Sequence, residues 1–259
     1  MSRVLLAPSL LSADWSRLAE AVAVAEQGAD WIHLDVMDGQ FVPNLTFGPV
    51  VVRAVRKLTK LPLDAHLMIH DPAAFAGAFR EAGVDGMTVH VEARGVAGPG
   101  WRAPVSSQGE GAKAGGDGPP APEPHAIDFA RLRATLATIR ATGARVGLGL
   151  RPDTRVAEVE PVLAELDLLL PMSVYPGFSG QPFREEALAE FRAASTWRER
   201  HGSRYLIEAD GGITQETIAR VAEAGAEVFV SGHGVYRRPD PLVALQDLRR
   251  RAEAARRDP

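Results

Sequence analysis

The sequence predicts an α/β fold, a closed (β/α)8 TIM barrel, on three observations. Eight short aliphatic runs alternate with stretches of helical periodicity, which is typical of strand and helix units around a parallel sheet. The chain has 259 residues, and about 250 residues is the usual size of this barrel. A short sequence pattern that ends a helix and begins a strand recurs at residues 26–30, 81–85 and 223–227. We expect a single barrel domain over residues 1–259, and a doubly wound open sheet is the weaker alternative.

Each predicted strand is a short aliphatic run, and a helical stretch follows it. The stretch 13–27 illustrates the helices, because its apolar residues recur on one face and Gly28 closes it as a C-cap. In chain order the predicted strands are residues 4–11, 31–37, 63–69, 86–91, 145–150, 168–174, 205–209 and 227–231.

Residues 94–124 interrupt this alternation after the fourth predicted strand. Of these 31 residues 14 are Gly or Pro, and no apolar periodicity remains that would offset the entropy of ordering them. We predict a disordered insertion at the C-terminal rim of the barrel, the side on which barrel active sites lie. An inert insertion is favoured over an active-site lid.

Composition excludes several classes of function. A net charge of -4 and a pI of about 6.0 leave no basic surface for nucleic acid, and no apolar run approaches a membrane span. The chain has no Cys, which excludes disulfide and thiolate chemistry, and no signal-like region follows Met1. We expect a cytoplasmic homo-oligomer that acts on a small soluble molecule, with neither nucleic acid nor membrane as partner.

Polar residues interrupt three of the predicted strands on one face. In the second strand His33 and Asp35 alternate with aliphatic residues, so period-two geometry points both into the barrel. The third strand repeats this pattern with Asp64 and His66, and the seventh delivers Asp210 to the same rim. A buried imidazole or carboxylate without a partner is costly. These side chains therefore need a partner in the interior.

A divalent cation is the simplest such partner. Neutral imidazoles and carboxylates are natural ligands of Zn²⁺, Fe²⁺, Mn²⁺ or Co²⁺. Taken singly, each residue could instead be a hydrogen-bonded core residue or the partner of a basic side chain. No Lys or Arg lies on these three segments, so the sequence favours one divalent metal ion as the compensating charge. Methionines at strand ends would either pack there or keep the site poor in water; they are Met37, Met68 and Met172.

Three glycine-bearing loops follow the last three predicted strands, at residues 172–181, 211–212 and 231–234. Barrels often bind phosphate at the loops after strands seven and eight. Glycines let backbone N–H groups approach an anion, so no basic residue is required. The alternative is that these glycines serve only as turn residues.

Six motifs, in this order, resemble the ribulose-phosphate 3-epimerase family. They are residues 7–14 (APSLLSAD), 33–39 (HLDVMDG), 41–44 (FVPN), 64–68 (DAHLM), 176–178 (PGF) and 210–212 (DGG). The similarity runs from about residue 4 to 247 and is interrupted only by the insertion. The resemblance implies a barrel enzyme of the pentose phosphate pathway that interconverts D-ribulose 5-phosphate and D-xylulose 5-phosphate.

The resemblance also implies roles for individual residues. The metal ligands would be His33, Asp35, His66 and Asp210, with Asp35 and Asp210 also acting as the acid–base pair. Two residues depart from the family pattern, namely Tyr175 in place of Asn and His233 in place of Ser. The positions that match substrate or phosphate contacts are Ser9, His66, Gly177, Phe178, Ser179, Gly180, Gly211, Gly212, Gly232 and His233.

The implied reaction removes a proton from C3 of a 2-ketose and returns one to the opposite face. Two carboxylates flanking the carbon can do this, and a cation would stabilise the enediolate between the two steps. Residues 180–183 and 197–200 look somewhat more like allulose-6-phosphate 3-epimerase, a close relative and the alternative activity. A decarboxylase or a Schiff-base aldolase would need a strand-end Lys, which the sequence lacks. A catalytically inactive barrel that serves as a binding protein is the alternative of another class, and the intact ligand quartet argues against it.

Overall fold

The computed structural model describes residues 4–97 and 127–256, in which eight parallel strands alternate with helices. Along the sheet the strand order is 1-8-7-6-5-4-3-2, and every neighbouring pair is parallel. This arrangement confirms the predicted TIM barrel. The strands are β1 Leu5–Ala7, β2 Ile32–Met37, β3 Leu63–Met68, β4 Gly86–His90, β5 Arg145–Leu150, β6 Leu168–Pro171, β7 Leu206–Asp210 and β8 Val228–Val230.

The barrel closes where β1 meets β2. The backbone N–H of Trp31 donates to Leu6 O at 3.2 Å, and that of His33 donates to Pro8 O at 3.2 Å. A parallel bridge between Ser9 and His33 continues this pairing beyond the end of β1. Closure therefore brings the first strand next to the second, where the polar residues begin.

Helices pack around the outside of the strands. Helix α3 illustrates how they begin and end: the Asp71 side chain accepts from the Ala74 N–H at its start, and Gly83 ends it with a left-handed φ of 109°. The helices are α1 Leu18–Gly28, α2 Pro49–Leu58, α3 Pro72–Ala82, α4 Arg94–Ala97, α5 Phe129–Ala141, α6 Glu160–Leu163, α7 Ala187–His201, α8 Ile218–Glu223, α9 His233–Tyr236 and α10 Pro241–Ala255.

Apolar side chains fill two regions of the molecule. The larger cluster joins the outward face of the strands to the helices, as with Leu34 of β2 and Val52 of α2. The smaller one lies on the inward face of β1, β6 and β8, and includes Ala7, Leu170 and Val230. The inward positions of β2, β3, β4 and β7 instead carry buried polar side chains. One side of the barrel interior is thus free for a polar site.

The first strand and the first helix are shorter than predicted. Strand β1 ends at Ala7, and a 3-10 turn at Leu10–Ser12 follows, because the Ser9 hydroxyl accepts from the Leu11 N–H. A second 3-10 turn, Trp15–Arg17, precedes α1. Gly28 remains helical, and Ala29 caps the helix instead. A Cβ at Gly28 would lie 3.1 Å from the Leu245 side chain of α10, so the two helices pack closely at this glycine.

The predicted insertion falls largely outside the described residues. The description stops at residue 97 and resumes at 127, after β4, which is where the sequence places the insertion. Its described beginning, Arg94–Ala97, forms the short helix α4, and the Gly95 N–H donates to His70 O at 2.8 Å. Among the described helices, none combines the length and apolar character needed to span a membrane.

Candidate active site

A pocket lies at the C-terminal ends of the strands. Asp35 of β2 and Asp210 of β7 line it, together with the loops that follow β6, β7 and β8. Met37, Met68 and Met172 also line the pocket, so the methionines at the strand ends do surround the two carboxylates. Apolar sulfur-bearing walls around charged groups reduce the water near them and strengthen local electrostatics.

Four of the predicted residues come together at the bottom of this pocket. His66 Nδ1 lies 3.3 Å from Asp35 Oδ1 and 3.6 Å from Asp210 Oδ2. His33 Nε2 lies 3.6 Å from the same Asp35 Oδ1. One nitrogen or oxygen atom from each of the four residues lies within 4.8 Å of the others. Strand geometry produces this cluster, because Asp35 and His66 are directly paired across β2 and β3.

Burial and mutual attraction shift the pKa values of His33, Asp35 and His66. Burial alone would lower the pKa of His66, but hydrogen bonding to Asp210 and Asp35 outweighs it and raises that pKa to about 9. Burial also lowers the pKa of His33, but the attraction of Asp35 and its neighbours outweighs this effect, and the pKa lies well above the usual value. The two imidazoles hold the pKa of Asp35 below its usual range against the effect of burial. The carboxylates thus require positive charge beside them.

The donor set fits a divalent metal ion. His33 Nε2 is buried and has no hydrogen-bond partner, although it lies only 3.6 Å from Asp35 Oδ1. Two imidazole nitrogens and two carboxylate oxygens are suitable ligands for a first-row transition ion. Such an ion would replace the imidazole protons as the positive charge between Asp35 and Asp210. The cluster could therefore hold the cation that the sequence predicts.

A second group of acids lies beneath His33. Its Nδ1 is 3.1 Å from Asp64 Oδ2 and 3.6 Å from Glu208 Oε1, and all three side chains are buried. Burial and, to a smaller extent, repulsion from Asp64 raise the pKa of Glu208 to about 7. A hydrogen on His33 Nδ1 that Asp64 accepts would leave Nε2 to face the cluster.

Nearly all of the predicted substrate contacts line the one pocket. The exception is His66, which is fully buried and lies under the pocket, in contact with both carboxylates. The residues that do line it are Ser9, Gly177, Phe178, Ser179, Gly180, Gly211, Gly212, Gly232 and His233.

The glycines of these loops are required by close approach as well as by backbone conformation. Gly212 has a φ of 63°, and a Cβ there would lie 2.5 Å from the backbone N of Phe183. Gly180 has a φ of 79°, and a Cβ would lie 2.7 Å from His233 Nε2. Such positions exclude side chains and leave backbone exposed to a ligand.

His233 joins two hydroxyl groups at the edge of the pocket. Its Nδ1 lies 3.0 Å from Ser12 Oγ and 3.0 Å from Ser179 Oγ, and the two hydroxyls are 2.6 Å apart. Sequence reasoning missed Ser12, because a hydroxyl in a turn carries no distinctive pattern. Partial burial lowers the pKa of His233, and the positive charge of Arg237 lowers it further. The imidazole is therefore an uncharged hydrogen-bonding group near neutral pH.

Loop contacts hold the β6 loop over the pocket. The Asn44 amide donates to Gly177 O at 2.9 Å, and the Gln181 amide donates to Tyr175 O at 2.7 Å. The guanidinium groups of Arg151 and Arg184 each lie over the Tyr175 ring, 5.4 Å from its centre. Aromatic stacking on two cations accounts for a Tyr at this position.

The fourth strand carries a buried polar pair that sequence reasoning missed. His90 Nε2 lies 2.8 Å from His66 Nε2, and His90 Nδ1 lies 2.9 Å from Glu92 Oε2. A signal was present, because Thr88, His90 and Glu92 alternate with apolar residues as His33 and Asp35 do. The polar network of the site thus extends from β2 and β3 to β4.

Comparison with known proteins identifies the family. A sequence model of the Ribulose-phosphate 3 epimerase family matches residues 5–100 and 123–236. The Ribulose-phosphate 3-epimerase of Mycobacterium tuberculosis (strain ATCC 25618 / H37Rv) is 41% identical over 251 residues, which cover 97% of this chain and 94% of that protein. The protein of the same name from Bacillus subtilis (strain 168) is 39% identical over 246 residues, 94% of this chain and 97% of that one.

A solved structure independently supports the barrel. The crystal structure of KGPDC from Streptococcus mutans matches with a TM-score of 0.62 at 13% identity, covering 98% of this chain and 99% of that chain. At this identity the likeness concerns the fold alone. The family match and the two relatives assign the family as well as the fold, since each of them extends over most of the chain. The chain therefore belongs to the ribulose-phosphate 3-epimerase family of enzymes.

Proposed function

We propose that this chain interconverts D-ribulose 5-phosphate and D-xylulose 5-phosphate by metal-dependent acid–base catalysis at C3. The observation that carries the proposal is the placement of Asp35 and Asp210. They come from two different strands of the barrel, β2 and β7, line the same pocket, and each has an oxygen within 3.6 Å of His66 Nδ1. Family membership supports the choice of reaction.

Two carboxylates on either side of C3 provide the proton transfers. In each direction one of Asp35 and Asp210 removes the proton from C3, and the other returns a proton to the opposite face. A divalent ion held by His33, Asp35, His66 and Asp210 would supply positive charge to the substrate oxygens that become negative in the enediolate. The two histidines would hold and orient the ion rather than transfer protons.

The loops after β6, β7 and β8 bind the phosphate of the substrate. Among the described residues, no Lys or Arg lines the pocket, so backbone N–H groups at Gly180, Gly211, Gly212 and Gly232 are the donors that we propose. Ser179 and His233 add side-chain contacts. Binding energy from the phosphate orients C3 between the two carboxylates.

Deuterium exchange tests the proposal directly. The purified protein is incubated in D₂O with ribulose 5-phosphate, and with allulose 6-phosphate in parallel, and C3 is followed by NMR. We expect deuterium at C3 of ribulose 5-phosphate, loss of exchange with a chelator, and recovery with Zn²⁺, Fe²⁺, Mn²⁺ or Co²⁺. Faster exchange with allulose 6-phosphate would assign the hexulose substrate. No exchange with either compound would favour the inactive binding protein.

Three further expectations stay predictions. They are the single barrel domain over residues 1–259, the cytoplasmic location and the homo-oligomeric state. Light scattering of the purified protein measures the last of these, and a monomeric mass would contradict it.

A further inference from the structure

His90 contacts His66 on the side that faces away from the two carboxylates. The two Nε2 atoms are 2.8 Å apart, and both side chains are fully buried. Two ring nitrogens at this distance need one hydrogen between them, because two lone pairs would repel each other. The identity of the donor decides which nitrogen of His66 has a free lone pair.

Glu92 determines the direction of this hydrogen bond. Its Oε1 accepts from the backbone N–H of Arg151 at 2.8 Å, and its Oε2 lies 2.9 Å from His90 Nδ1. Burial would raise the pKa of Glu92, but its contact with His90 outweighs this and lowers it, so the group is a carboxylate. A carboxylate only accepts, and His90 therefore donates through Nδ1–H.

The remaining bonds follow from this one. His90 is fully buried, where an uncharged ring is much less costly than a charged one, so its single hydrogen is the one on Nδ1 that Glu92 accepts. His90 Nε2 is then an acceptor, and His66 must donate to it through Nε2–H. The other nitrogen of His66, Nδ1, is the one that lies 3.3 Å from Asp35 and 3.6 Å from Asp210.

We propose that His90 and Glu92 are positioning residues that hold His66 as the Nε2–H tautomer, with its Nδ1 lone pair directed at the divalent ion. This inference rests on the metal site proposed above and assigns that site a polar support from β4. Ligand histidines commonly donate their second N–H to such a support, which fixes the ring and strengthens the ligand.

Packing around His90 supports a fixed ring. Gly149 of β5 is its direct neighbour across the sheet, and a Cβ there would lie 3.2 Å from His90 Nε2. The Phe41 ring lies 5.0 Å from the His90 ring. His90 thus has little freedom to turn away from His66.

The decisive variant is Glu92→Gln. The Gln side chain can keep the Arg151 N–H bond through its oxygen, and its NH₂ group then faces His90 and requires His90 to accept through Nδ1. His90 would carry its hydrogen on Nε2 and face His66 with a donor. His66 would have to accept there and place its own hydrogen on Nδ1, the ligand atom.

Metal affinity and ring NMR read out this change without measuring activity. Chelator competition with Zn²⁺ should show about 10- to 100-fold weaker binding in Glu92→Gln. In the zinc-loaded wild type, ¹⁵N NMR should show His66 protonated at Nε2 and metal-bound at Nδ1. Glu227→Gln is the matched control, because Glu227 is equally buried, pairs with Arg198 and lies at the opposite end of the barrel. The control should bind Zn²⁺ as the wild type does.

A pair of His90 variants tests the same inference independently. His90→Gln keeps an acceptor oxygen opposite His66 and should bind Zn²⁺ within about threefold of the wild type, whereas His90→Leu should weaken binding as Glu92→Gln does. If Glu92→Gln does not fold, the two His90 variants test the positioning role on their own. Unchanged affinity in a folded Glu92→Gln or His90→Leu protein would overturn the inference and leave the metal site intact. Failure of the wild type to bind any divalent ion would instead overturn the metal site itself, and with it this inference.

Discussion

Ser9 donates a hydrogen bond of 2.5 Å to Oδ2 of Asp35, and the two residues are thereby linked across the closure of the barrel. The same hydroxyl accepts from the Leu11 N–H at 3.2 Å, which fixes its orientation. Oδ1 of Asp35 remains as the oxygen that faces His33 and His66. The carboxylate therefore has one oxygen anchored by the first strand and one directed at the proposed metal and substrate.

Replacing either carboxylate with its amide should remove proton transfer at C3. In Asp35→Asn and Asp210→Asn we expect kcat for ribulose 5-phosphate to fall at least about 100-fold, because an amide cannot take up the proton. Rates of epimerisation and of deuterium exchange check this, with chelator competition run alongside to measure metal binding. Asp247→Asn is the control for loss of a charge. In the described structure Asp247 forms ion pairs with Arg250 and Arg251, which lie on the same helix, α10. Activity in both site variants close to that of this control would contradict the two-carboxylate mechanism.

Metal removal should lower thermal stability as well as activity. A bound ion would neutralise the negative charge of two neighbouring carboxylates. When its free concentration is about 100 times its Kd, a ligand stabilises the folded state by about 2.7 kcal/mol. For a barrel of this size we expect Tm to fall by roughly 5–10 °C after dialysis against a chelator. Calorimetry before and after adding back Zn²⁺ checks the shift. A Tm that does not respond to chelator or metal would contradict the site.

Two glycines with similar backbone conformation should respond differently to the same substitution. Gly212 and Gly202 have φ of 63° and 61°, but only Gly212 has atoms in the way of a Cβ. We expect Gly202→Ala to cost about 1 kcal/mol of unfolding free energy. Gly212→Ala should cost at least about 1 kcal/mol more and raise KM, because Phe183 and the phosphate loop must shift. Urea unfolding and initial-rate kinetics measure both effects; equal destabilisation with an unchanged KM would show that the close contact is unimportant.

His233 should contribute to binding more than to the chemical step. Its imidazole contacts the hydroxyls of Ser12 and Ser179 at the phosphate loops, and our proposal gives it no part in proton transfer. His233→Ala should raise KM for ribulose 5-phosphate about fivefold, equivalent to about 1 kcal/mol, with kcat little changed. His201→Ala, in an exposed helix end, serves as the control. A fall in kcat at constant KM would place His233 in the chemistry instead.

Residues 98–126 should be dispensable for catalysis. Replacing them with a short Gly/Ser linker spares α4, which is anchored by the Gly95 bond to His70 and by buried Val96. We expect kcat/KM within about tenfold of the full chain, roughly 1.4 kcal/mol. Steady-state kinetics, with circular dichroism as the check on folding, measure this. A larger loss in a folded protein would identify the segment as a working lid.

The sequence by itself determined the fold and the four residues of the candidate cluster. Strand and helix periodicities are local properties, and alternation along a strand decides which side chains point inward, so His33, Asp35 and His66 could be assigned to the interior without coordinates. Element ends were less accurate, because a single hydroxyl, that of Ser9, turns the chain out of β1 earlier than the aliphatic run suggests.

Only the tertiary structure decided how these residues are supported. The contact of His66 with His90, which in turn meets Glu92, depends on the register of β3 against β4 and on the space left by Gly149. The contact of His233 with Ser12 joins residues 221 positions apart, because β8 pairs with β1. Periodicity specifies a direction for each side chain, whereas the partner nitrogen or hydroxyl that it meets is set by strand register and by the packing of distant loops.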